Sequence, residues 1–153
     1  MPTAGFVVVE LGQAFGNRCE ATQVAFPISD ALPFDFALID FCLDQNAFAV
    51  AAIVNCPSSL DVVIDQHLGL CSVPGAPTSF GEVRLHVQAV GGGPFGSGAG
   101  FSCNVPILST APLGDHSIFL HAYAEYEDGV VRKAVQSDSQ GTISVSDNGA
   151  CAP

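Results

Sequence analysis

Four histidines, His67, His86, His116 and His121, have the widest chemical repertoire in this chain, as general bases or as zinc or copper ligands. No two stand in the H-x-x-x-H spacing that places imidazoles on one helix face. His116 and His121 are five apart in one extended run, which turns them to opposite sides. A histidine site would therefore need unrelated strands to converge, and the spacing predicts hydrogen-bonded or solvent-facing rings instead. Serine nucleophiles fare no better. There is no G-x-S-x-G, and PFGSGAG (94–100) lacks a strand–turn–helix setting. Gly91-Gly92-Gly93 is followed by neither a helix nor a lysine that would hold phosphate. Glu125 and Glu127 share a strand face at i, i+2, with Asp128 beside them at a turn. That reads as acidic surface, or as a weak Ca2+ contact, more than as the cleft-borne carboxylate pair of a glycosidase. No D-x-[DN]-x-[DN]-G loop is present. The expectation is no catalytic residue, no resident metal and no cofactor.

The six cysteines, Cys19, Cys42, Cys56, Cys71, Cys103 and Cys151, contain no C-x-x-C pair, which disfavours a zinc cage. An even count spread through a β-rich chain points to disulfides and an oxidising compartment. Spacing alone does not choose among the pairings.

Whatever chemistry exists must be positioned by strands. The chain is 48% hydrophobic and 12% charged, with 16 Gly and 10 Pro punctuating short runs of Val, Ile, Phe and Ala. That is the grammar of an all-β, two-sheet sandwich or jelly roll of about nine strands in a single domain. Its core spans about 5–146, and 147–153 is a tail or linker stub. The runs are 5–11, 22–28, 34–43, 60–65, 82–90, 101–108, 116–127, 130–135 and 141–145; 47–54 reads as either strand or helical turn. EVRLHVQAV (82–90) alternates cleanly, with Val83, Leu85, Val87 and Ala89 on one side. Ala-Pro-Leu-Gly (111–114) and Glu-Asp-Gly (127–129) are turns. The net charge of −11 argues against nucleic acid and anionic membrane as partners. No run approaches the ~18–20 apolar residues of a membrane span. The opening MPTAGFVVVELG shows no signal-peptide pattern, so a leader has been removed or the chain is an excised piece.

Several pieces, in order, resemble cohesin-like domains of bacterial extracellular proteins, a jelly-roll group that includes carbohydrate-binding modules. VVVELGQAFGN is similar to that family's first strand and Gly turn, and ATQVAFPISDAL to its second strand. FALIDFCLDQNAFAV resembles its strand with a Tyr-Asp-Pro-type corner, here replaced by Leu43-Asp44-Gln45. GSGAGFSCNVPI with APLGDHSIFL resembles its apolar-x-Cys-x-Val-x-Ile run, with His116 where the family usually has Tyr. YEDG and GTISV are similar to its terminal turn and closing strand. The resemblance implies two facing sheets whose first and last strands are parallel neighbours. It thereby implies a Cys19–Cys151 bridge, closing a loop worth roughly 4–5 kcal/mol in chain entropy. Cys56 and Cys71 flank 60–65 and form a second candidate pair. Cys42 and Cys103 lie on strands the family fold makes adjacent, although an outward Cys42 and an inward Cys103 oppose that bond.

Along 116–127, Ile118, Leu120, Ala122 and Ala124 form the inward set. Phe119, His121, Tyr123 and Glu125 form the outward one, joined by Phe36 and Leu38 from the neighbouring strand. The resemblance makes this the face on which cohesins bind dockerins; the alternative is a loop that covers it. The function expected is a non-catalytic, extracellular or cell-surface module that binds a protein partner or identical subunits. A carbohydrate-binding module and a self-assembling filament subunit are the alternatives. A polysaccharide ligand is disfavoured by the absence of Trp and the presence of only two Tyr.

Overall fold

The computed structural model describes residues 11–27, 33–53, 56, 60–67, 71–89, 91, 93–95 and 100–151. Eight strands are formed among them: β1 (Gln13–Asn17), β2 (Ala21–Pro27), β3 (Phe34–Leu43), β4 (Leu60–His67), β5 (Gly81–Ala89), β6 (Gly100–Pro106), β7 (Gly114–Asp128) and β8 (Val131–Ser146). They make a six-stranded sheet, in the order β1-β8-β7-β3-β5-β4, facing a two-stranded sheet of β2 and β6. β1 runs parallel to β8, with Gln13 opposite Thr142, as the resemblance implied.

The inward sets read from alternation form one core. Ala37, Ile39 and Phe41 of β3, Val83, Leu85 and Val87 of β5, and Ile118, Leu120, Ala122 and Ala124 of β7 are all buried. Val24 and Phe26 of β2 and Cys103 and Val105 of β6 meet them from the other sheet, with the Phe26 and Phe41 rings 5.0 Å apart. Burying a Phe or Leu in this way stabilises the fold by roughly 1.5–3 kcal/mol each.

One expectation changes. The runs 130–135 and 141–145 are one 16-residue strand, because 136–140 continues the ladder with β7 despite its polar residues. Ser137 and Ser139 keep the inward parity of Val135 and Ile143 and are half-buried rather than looped out. Of the two readings of 47–54, the described residues 47–53 take the helical turn, a 3₁₀ turn at Val50–Ala52, with Phe48 bridging to Ile107. The strand expected at 5–11 falls largely outside the described residues. The predicted turn at 127–129 holds, with Gly129 (φ 66) in it, whereas the turn expected at 111–114 lies just upstream, where the Ala111 amide bonds the Leu108 carbonyl, and Gly114 (φ 108) opens β7; both glycines take left-handed backbone that a side chain would strain.

Three disulfides form. Cys19–Cys151 is the pair the resemblance implied, and its sequence separation of 132 makes it worth about 5 kcal/mol in loop entropy. The other two correct the expectation: Cys42 pairs with Cys71 and Cys56 with Cys103. Cys56 and Cys71 flank β4 but end on opposite faces, Cys56 in the core and Cys71 over the outer surface. Cys42 and Cys103 lie in different sheets, not on neighbouring strands.

Candidate interaction face

The outer face of the large sheet is set by register. Opposite each other on β3 and β7 stand Phe36 and Glu125, Leu38 and Tyr123, Asp40 and His121, and Cys42 and Phe119. β5 extends these rows with Gln88, His86, Arg84 and Glu82. All six residues expected to form a binding face, Phe36, Leu38, Phe119, His121, Tyr123 and Glu125, therefore lie together here, each half-buried.

One end of the face is covered. Residues 71–80 cross it as a strap, tied down by Cys42–Cys71. Val73, Ala76 and Phe80 pack on Cys42 and Phe119, with the Phe80 and Phe119 rings 6.1 Å apart. Under the strap Glu82 is buried, and it accepts hydrogen bonds from the Ser72 amide (2.8 Å) and hydroxyl (2.6 Å). Cys42, Cys71 and Glu82 converge, but the two sulfurs are bonded to each other, which makes the group a crosslink and not a ligand set. Phe119 is thus largely a strap contact, so among the described residues the covering-loop alternative holds for that end alone.

The next row is ionic. Arg84 holds the buried Asp40 in a two-point grip at 2.7 and 3.1 Å, and His121 Nδ1 lies 2.6 Å from Asp138. Then comes the open row, Leu38 and Tyr123 with His86, and Val63 of β4 61% exposed beyond it. No described segment crosses it.

The far end is a polar cluster that the sequence did not reveal. A register shift between Phe34 and Phe36 makes Asp35 the extra residue of a β-bulge. The bulge turns its carboxylate out to Arg132 of β8. Arg132 also donates to Glu125 (3.0 Å) and lies 3.6 Å from Glu127. The Tyr123 hydroxyl donates to the other Glu125 oxygen. That bond and Arg132 hold the Glu125 carboxyl below its usual range; Arg132 does the same for Asp35, and Glu125 pushes the Tyr123 phenol up. Carboxylates held ionised in this way carry charge at neutral pH and are poor proton donors. Asp35, Glu125 and Arg132, with Phe36, Gln88 and Gly93, line an open depression of about 480 Å³. The only clue to Arg132 in the sequence is its place opposite Glu127 in the hairpin; nothing announces Asp35, because a bulge depends on the neighbouring strand.

His116 Nε2 lies 2.7 Å from the Pro112 carbonyl and its ring stands edge-on to Phe48, which fixes the segment leading into β7 from the inner side. His67 stands opposite Glu82 in the β4–β5 register.

No protein-family model and no curated protein sequence matches the chain. Solved structures do. A chain of the CaDoc0917–CaCohA2 complex aligns over 90% of this chain and 98% of its own, at 14% identity and a TM-score of 0.59. The fold is cohesin-like. CaCohA2 of Clostridium acetobutylicum in solution aligns over 90% of this chain and 89% of its own, at 14% identity and a TM-score of 0.56. A non-cellulosomal cohesin of the hyperthermophilic archaeon Archaeoglobus fulgidus covers 92% and 91%, again at 14% identity, with a TM-score of 0.59. The cohesin-like sandwich here is further crosslinked by its three disulfides. Among the described residues no helix is long and apolar enough to cross a membrane.

Proposed function

We propose that this cohesin-like domain is a non-catalytic protein-binding module that works outside the cell, through the outer face of its large sheet. The observation that carries the reading is the open row of Leu38, Tyr123 and Val63, held between two fixed ionic clusters. Apolar anchors ringed by polar groups are the anatomy of a protein interface. Among the described residues, the outer side of the β2–β6 sheet offers no such anchors: it pairs Gln23 with Asn104 and Ala25 with Ser102. One matched structure is itself a complex, in which CaCohA2 is joined to CaDoc0917; this supports a protein partner over a polysaccharide. The three disulfides support an oxidising, extracellular setting.

The test is capture of proteins from the source organism's secreted and surface fractions on the immobilised domain, followed by affinity measurement for each captured protein. Val63→Asp and Leu38→Asp should weaken a specific partner by about 30-fold or more, the scale of an interface hot spot. Gln23→Arg, on the opposite sheet, should leave it bound. A partner indifferent to both face variants, each checked for an unchanged fold, refutes the reading.

A further inference from the structure

The chain has fifteen Asp and Glu against four Lys and Arg. All four cations are engaged within the molecule: Arg18 with Asp147 (3.3 Å), Arg84 with Asp40 (2.7 Å), Arg132 with Asp35 and Glu125, and Lys133 with Asp128 (2.8 Å). A partner that needs an anionic patch of its own neutralised finds no uncommitted Lys or Arg here. The reverse holds at the far end of the outer face. Three carboxylates, Asp35, Glu125 and Glu127, share the single guanidinium of Arg132, which leaves a local charge of about −2 beside the depression.

We propose that the outer face receives a basic protein segment, whose Arg or Lys seats in the depression against Glu125 and Asp35 while a neighbouring apolar side chain lands on Leu38 and Tyr123. This rests on the reading of that face as the interaction surface and adds the chemistry of its partner. The depression suits an organic cation. Its wall carries the Phe36 ring and the Gln88 amide, groups that accept the stem and an N–H of a long basic side chain. A calcium ion would need six to eight oxygens, and Arg132 already sits on the carboxylates that would supply them. An incoming ammonium or guanidinium needs only the second lone pairs that Arg132, which lines the same depression, and the Tyr123 hydroxyl leave free. The Leu38–Tyr123 row is adjacent on the same two strands, so residues near one another in the partner reach both.

The probe is the capped peptide acetyl-Leu-Arg-Leu-Arg-amide, titrated into the isotope-labelled, disulfide-intact domain and followed by amide NMR shifts. Acetyl-Leu-Glu-Leu-Glu-amide is the control. Saturable shifts centred on Phe36, Gln88, Tyr123 and Glu125, weakened by salt and absent with the Glu peptide, are expected. Gln88→Lys, at an exposed position, should weaken binding about fivefold through like charge. Shifts that are absent, that spread evenly to Glu20, Asp44 and Asp115, or that are unchanged by Gln88→Lys overturn the proposal. The two readings fail separately. A captured partner that is lost on Val63→Asp but is itself acidic leaves the interaction face standing and removes the basic partner. Localised peptide binding with no partner sensitive to the face does the opposite.

Discussion

Removing the Cys42–Cys71 crosslink is the sharpest test of how the outer face is built. The bridge spans 29 residues, a segment that includes the edge strand β4 and leads into the strap. Loop-closure entropy for that length is about 3.5 kcal/mol. Cys42 is fully buried and Cys71 nearly so, and replacing both by Ala also thins the cluster around Phe119. Against this, a released strap lets water reach Glu82, whose carboxylate is now buried with Ser72 as its hydrogen-bond donor, and that hydration offsets part of the loss. For a domain of this size ~1 kcal/mol moves Tm by roughly 2–4 °C. Cys42→Ala/Cys71→Ala should therefore melt about 7–14 °C lower. The assay is calorimetry, with amide hydrogen exchange to locate the change. The Cys71 and Phe80 amides, which bond to Thr78 and Pro77 carbonyls, should lose protection, while β3 and β7 keep theirs. A fall of under about 3 °C with strap amides still protected would show that Phe80, Phe119 and Glu82 hold the strap unaided, and the entropic account would be wrong.

Arg84→Ala removes the two-point partner of Asp40, buried at 7% exposure, and should cost about 2–3 kcal/mol by urea denaturation, the pair being partly solvated. Asp40→Leu combined with Arg84→Met should recover most of that loss. Gly141→Ala places a Cβ 2.6 Å from Leu11 Cβ and 2.8 Å from the Gly12 carbonyl. It should cost about 1–3 kcal/mol and expose the amides of Gln13–Asn17 to exchange. Acid should unfold the domain through its depressed carboxyls, Asp35, Glu125 and Asp128. Folding favours their ionised form, so their contribution is complete above the ordinary values of 3.8 and 4.5 and is lost as pH falls below them. Tm measured against pH should hold level from neutrality and drop below about 4.5, with a shallower drop in Arg132→Ala; identical curves would contradict this.

Alternation in FDFALIDFCL and HSIFLHAYAEYE was enough to sort inward from outward side chains. A β-strand has a period of two, and burial of one face leaves no other register. That local rule delivered the sandwich, the core and the membership of the outer face from Phe36 to Glu125. Turn chemistry at Gly129 was equally local. What escaped is non-local in origin. Cys56 and Cys71 are neighbours in sequence that the sheet sends to opposite faces, so their true partners, Cys103 and Cys42, follow only from the packed strands. The strap over Phe119 is an irregular segment with no periodicity to read. Asp35 meets Arg132 across 97 residues because a bulge against β7 turns it outward. The sequence by itself determined which residues each strand shows to solvent. Only the tertiary structure decided which of those stay uncovered, and which charges they meet, because both depend on chain segments that no local rule places beside them.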